Sequence, residues 1–211
     1  MARSDGREKL LLQMYDQMFS DINRHVLVIW QSVAVVVGAF ALLALVEKNV
    51  ISLDIGAAII ITICAWLFAN LYDSAYWYNR NLVIIANIER EFLKESDLND
   101  IHYYFGKHRP DNKMFTHLRI QFWLGLMLSG IVIVFHFYHR VWPGIGQPWN
   151  SFDFERTLPY LAAVVSVYFL WKIKSHRTAS YNEFVKNSPG KEVDTGAIEY
   201  GEGHGFPRIK D

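Results

Sequence analysis

Three stretches of this chain carry no charge: residues 26–46, 55–72 and 120–138, which are 21, 18 and 19 residues long. Only Gln121 and His136 interrupt the third with strongly polar groups. About 20 apolar residues in a helix cross the roughly 30 Å core of a bilayer. A chain in such a medium must satisfy its backbone polar groups internally, and a single segment does that only as an α-helix. The mean hydropathy of +0.09 therefore averages two populations, apolar runs and charged connectors. The pattern predicts an all-α membrane protein.

A fourth run, residues 158–171, is shorter at 14 residues. Its charged flanks, "RT" before and "KIK" after, place it as a fourth span; an interfacial or re-entrant segment is the alternative. The expected organisation has five parts. Residues 1–25 form a cytoplasmic amphipathic helix and 26–72 a transmembrane hairpin. Residues 73–119 form a cytoplasmic helix and connector, 120–174 a second hairpin, and 175–211 a disordered cytoplasmic tail. The tail is assigned on its glycine and charge content and on its lack of apolar period.

The connector reads as a helix. Tyr78, Leu82, Ile85, Ile88 and Phe92 recur at steps of three and four, which puts them on one face. No glycine or proline interrupts residues 57–95, so the second span should continue about 58 Å as one rod. Leu11, Met14, Tyr15, Met18 and Ile22 make a similar stripe ahead of the first span. The two stripes emerge on one side of an antiparallel hairpin and can bury each other. One lying flat on the lipid surface is the other possibility.

Charge sets the orientation. Of 21 Lys and Arg residues, 18 fall in the N-terminal segment, the 73–119 connector and the segment after Trp171. By the positive-inside tendency both termini should be cytoplasmic. The overall net charge of zero points to neither nucleic acid nor an acidic substrate. Cys64 is the only cysteine, so an internal disulfide and a thiolate metal cluster are both excluded.

No catalytic signature is present: there is no serine elbow, phosphate loop, zinc-protease helix or kinase motif. An enzyme is not expected, nor a cofactor or a metal. His102, His108, Asp111 and His117 share the connector without ligand spacing. His136 and His139 share a helix face near the outer end of the third span, where an interfacial hydrogen-bonded pair is the expected role. Asp54 stands at the outer mouth of the second span. It reads as a first-turn partner of the helix dipole, or else as a group that attracts ions to the mouth. Gln31, Thr62 and Asn70 are the candidate pore-lining residues. Trp77 and Arg80, in "YWYNRN", with Lys107, Arg109 and Lys113, in "KHRPDNK", are candidates for contact with a ligand or partner.

The spans, the inside termini and the juxtamembrane helices resemble, in architecture over residues 1 to about 175, small bacterial membrane effectors of anti-phage systems of the SLATT and four-span types. The resemblance implies a homo-oligomer in the inner membrane that conducts ions or permeabilises the bilayer when a cytoplasmic signal is sensed. It implies membrane lipid as a partner, with a cytoplasmic sensor protein or a nucleotide or oligonucleotide as the trigger. No functional residue transfers from it. The competing class is a non-channel adaptor that recruits a cytoplasmic partner through the same helices. Reporter fusions after Lys174 and within residues 144–147 should give cytoplasmic and external signals respectively; an external C-terminus would refute this topology.

Overall fold

The computed structural model describes residues 2–92, 109–148 and 153–188. These are all helix and connection, with no strand among the described residues. The helices are α1 (Ala2–Ala39), α2 (Leu42–Glu47), α3 (Leu53–Phe92), α4 (Thr116–His136) and α5 (Leu158–Lys186). A π-helical turn, Phe137–Val141, follows α4, and short 3-10 turns cover Trp142–Gly144 and Phe154–Thr157.

Among the described residues, three helical segments are long and apolar enough to cross a membrane: Gly6–Glu47, Leu53–Glu89 and Thr116–Gly144. The fourth run is helical, within α5, but it does not join that set. α3 is a single helix of 40 residues, as the missing breakers predict. The first apolar run is not continuous. α1 ends at Ala39, and the amides of Phe40 and Ala41 bond back three residues to Val37 and Gly38 instead of four. Gly38 has no neighbour within 4 Å of where a Cβ would stand, so close packing does not explain it. Its backbone freedom eases the tightening of the helix there.

The hairpin between α2 and α3 is built from two local devices. Asn49 sits at φ 57°, a left-handed conformation that asparagine tolerates. The Asn49 and Val50 amides then bond the Val46 and Leu45 carbonyls, closing α2 with a Schellman cap. Ser52 opens α3: its Oγ accepts from the Ile55 amide at 3.2 Å.

By contacts the chain divides into two units. One comprises Leu27–Asp73 and Met114–His176. Its interior is set by Ala57, Ile60, Cys64, Leu67 and Leu71, a three-and-four repeat along α3, with Ile29, Val36, Leu118 and Val132. Gly125 lets α4 come close: a Cβ there would lie 2.8 Å from the Phe68 ring and 3.2 Å from Leu67. Outward-facing positions are also apolar, among them Trp30, Val37, Met127, Ile131, Val134 and Val167. A water-soluble protein rarely leaves so much contiguous apolar surface uncovered, and in hydrocarbon it costs nothing.

The other unit comprises Met1–Val26, Ser74–Lys113 and Arg177–Asp211. Tyr78, Leu82, Ile85 and Ile88 are buried in it, while Phe92 at the end of the stripe is exposed. α1 runs antiparallel to α3 here. Arg7 pairs with Glu91 at 2.8 Å, the Tyr15 hydroxyl donates to Glu89 at 3.4 Å, and His25 stacks on Trp77. α1 and α3 thus meet within one chain, through Tyr15 of the α1 stripe, while Met14 of that stripe is exposed.

The expected tail from residue 175 is corrected over its first part. α5 continues to Lys186, and Tyr181 is wholly buried, its hydroxyl donating to the Arg109 carbonyl at 2.6 Å. Asn87 donates to Ser188 at 3.2 Å. The anchors Tyr181 and Phe184 are only three residues apart and lie among charges, which hid the helical period. Residues 189–211 lie outside the described residues.

Three substitutions test this packing. Gly125→Val should destabilise the detergent-solubilised protein by about 1–3 kcal/mol through overpacking. Ile85→Asp should lower its melting temperature by burying an unpaired carboxylate. Glu91→Ala should cost under about 1 kcal/mol, because its ion pair is exposed. Equal melting of all three variants and the wild type would refute the burial pattern.

Candidate functional site

The most polar buried feature lies in the first unit, around Asp54. Asp54 is in the first turn of α3, as the sequence indicates, and both it and His136 are 0% exposed. The Arg140 guanidinium clasps the carboxylate from two sides, with Nη2 2.6 Å from Oδ2 and Nε 3.0 Å from Oδ1. His136 Nε2 lies 2.7 Å from Oδ1. The other ring nitrogen, Nδ1, is 3.1 Å from the Tyr160 hydroxyl near the start of α5.

One ring nitrogen of His136 thus faces Asp54 and the other faces Tyr160. Arg140 also reaches Asp153 Oδ2 at 3.0 Å, and Arg156 meets the same oxygen at 3.4 Å. Asp153 caps the turn before α5 through the Glu155 amide. One cluster therefore ties α3, the end of α4, the π-helical turn and the start of α5. π-turns are rare and occur often at functional positions; this one carries Arg140.

Burying an ion pair costs desolvation energy that mutual attraction does not always repay. Such clusters are better explained by specificity or switching than by stability. Chemically, this one neutralises the Asp54 charge. His136 and His139 do not act together: His139 is exposed and packs on the Phe135 ring at 4.3 Å. No metal-holding group of three ligands exists among the described residues. Sequence reading singled out Asp54 and His136 but did not join them or include Arg140 and Tyr160. The available signal was an acid at the start of one apolar helix and an arginine just past the end of another.

The pore-lining candidates are placed separately. Thr62 is exposed and donates to the Ala58 carbonyl of its own helix; half-buried Asn70 donates to that of Trp66. Gln31 is exposed on α1. No hydrogen bond joins the three.

In the second unit, Arg80 lies over the Trp77 ring at 5.1 Å and the Phe184 ring at 5.6 Å. Arg177 lies 4.9 Å from the centre of Tyr76. Tyr76 contacts both Trp77 and Tyr181, and Tyr181 contacts Phe184. The result is a ring of four aromatic side chains holding two arginines. Burial pushes the Tyr181 phenol above its ordinary pKa.

The structure thus brings Trp77 and Arg80 together. Arg109 and Lys113 enter the unit through their carbonyls, which accept from Tyr181 and Asn79. The Lys113 ammonium pairs with Asp111 at 2.7 Å on the surface. Lys107 lies outside the described residues, as do His102 and His108. A groove beside the ring is lined by Tyr76, Ile84, Asn87, Glu183, Phe184 and Asn187, among others.

Comparison of the chain with protein families, with curated proteins and with solved structures gave no match.

The Asp54 cluster makes a ranked prediction. Arg140→Met strands a buried carboxylate and should destabilise the protein by about 3–5 kcal/mol. Arg156→Met removes only a partly exposed contact and should cost under about 1 kcal/mol. Thermal melting in mild detergent checks the order, and equal losses would show that Asp54 is not held by Arg140.

Proposed function

We propose that the protein is an oligomeric effector of the bacterial inner membrane, which passes ions or permeabilises the bilayer when its cytoplasmic helices sense a signal. In this reading residues 158–171 form the fourth span and both termini are cytoplasmic. The charge asymmetry supports that orientation. A role in anti-phage defence rests on the architectural resemblance alone.

The observation that carries the reading is the buried cluster of Asp54, His136 and Arg140. Ionisable groups in an apolar membrane unit mark functional sites by default. Here the acid and the base come from different helices, so the contact can be made or broken. In the resting state it locks α3 to the end of α4 and the start of α5. Opening separates those helices and leaves charged and polar groups facing water.

Gln31 supports assembly. Its amide sits on the outward face of α1 beside Leu27 and Trp30, and hydrocarbon offers an amide no hydrogen-bond partner. A second copy or pore water does. Any signal shifts the gate only by its difference in affinity for the two states. The groove between α3 and α5 favours the adaptor as a second reading, because it offers both aromatic and polar contacts to a cytoplasmic partner.

Arg140→Gln should raise ion leak from liposomes, per amount of protein inserted, and slow growth on expression. Should the purified wild type prove monomeric in several mild detergents, and both it and Arg140→Gln be silent in planar bilayers, the channel reading fails and the adaptor replaces it.

A further inference from the structure

We propose that two copies of this chain pair in the membrane through the outward face of α1, formed by Leu27, Gln31, Ala34 and Gly38, with the two Gln31 amides hydrogen-bonded to each other. The inference deepens the oligomer reading above and rests on α1 spanning the bilayer.

The first argument is the state of Gln31. Other polar side chains of the apolar unit spend their donors on their own helices: Ser32 on the Val28 carbonyl, Thr62 on Ala58, Asn70 on Trp66 and Ser129 on Gly125. Gln31 makes no hydrogen bond among the described residues, and it is exposed within the charge-free run 26–46. Hydrocarbon gives its amide neither a donor nor an acceptor. A primary amide carries both, so it complements itself. The N–H of one copy donates to the carbonyl oxygen of the other, and the reverse bond closes the pair. A second copy in the same orientation presents that amide at the same depth, which a lipid tail does not.

The second argument is the shape of the face. Leu27, Gln31, Ala34 and Gly38 recur at steps of four, three and four, so they form one stripe, and all four are exposed. Ile29, Ser32, Val36 and Ala39 form a second stripe on the other side of the helix, and these are buried in the apolar unit. α1 therefore has one face used within the chain and one spare face of the same spacing. The middle of the spare face is low. Ala34 and Gly38 lie between the larger exposed side chains of Trp30, Val35 and Val37, and the space beside Gly38 is open. In lipid, close backbone approach at small residues and hydrogen bonds between helices drive association. Gln31 stands one turn from Ala34, so an approach there brings the two amides within reach. A two-fold contact sets the same patch of each copy against the other, which puts Gln31 opposite Gln31.

Disulfide crosslinking of the full-length protein in its own membranes, in a Cys64→Ala background, tests the face. Leu27→Cys and Ala34→Cys should each give a covalent dimer under mild oxidation, while Val134→Cys, equally outward on α4, should stay monomeric. Energy transfer between labelled copies in mild detergent tests the amide. Gln31→Leu should raise the dissociation constant about threefold to thirtyfold. Gln31→Asn keeps the amide on a shorter arm and should fall between. Neither variant should change the melting temperature of the dilute monomer, because the side chain bonds nothing within its own chain. An unchanged dissociation constant in Gln31→Leu overturns the amide pair. Crosslinking at none of the three positions, or at all three alike, overturns the face. A crosslink only to a protein of different mass assigns the face to another partner and overturns the second copy. Dimers joined through this stripe but silent in planar bilayers would sink the channel reading alone; conduction by a protein whose stripe does not crosslink would sink only this contact.

Discussion

Every peptide group placed in hydrocarbon must find its hydrogen-bond partner within the protein, and that constraint governs what this chain can be. It turns the charge-free runs into helices. It also limits irregular backbone within those runs to turns that keep their hydrogen bonds. The break after α1 keeps its bonds by tightening to three-residue spacing. The turn between α2 and α3 is closed by a Schellman cap and a serine cap, so few backbone groups go unmatched there. With the backbone satisfied, side chains are free to point apolar groups outward, and the polar side chains of the apolar unit are thrown back on one another. The Asp54 cluster follows from the same rule, since a carboxylate in that setting has to be met by donors from the protein itself.

Much of this architecture was legible because helical periods and missing breakers act locally. The 40-residue α3 and its buried face from Tyr78 to Ile88 follow from spacing alone. The end of α5 was not legible for an equally local reason. Its anchors, Tyr181 and Phe184, are few and embedded among charges, and what holds Tyr181 is a carbonyl 72 residues away in sequence. The break at Phe40 was hidden because Gly38 permits a kink without requiring one.

The candidate sites divide along the same line. Asp54 stood out as an acid beside a span and Arg80 as a cation among rings, since both signals lie within a few residues. Their partners did not. Arg140 is 86 residues from Asp54, and Phe184 is still farther from Arg80 in sequence. Only packing brings such pairs together. The polar residues Thr62 and Asn70 show the reverse: they suggested a shared path, yet each spends its donor on its own helix. A hydroxyl or amide four residues past a carbonyl can always do that, so a polar residue in a span is weak evidence for a pore until its donor is accounted for.

The wide separation of Asp54 and Arg140 has a consequence for biosynthesis. The acid leaves the ribosome 86 residues before the arginine that neutralises it. At roughly 5–20 residues per second that is an interval of about 4–17 s. Throughout it the first hairpin carries a carboxylate without its main counter-ion, which favours holding the top of α3 at the water boundary. The emergence of α4 ends that wait, so the order of translation also sets the order in which this end of the protein can close.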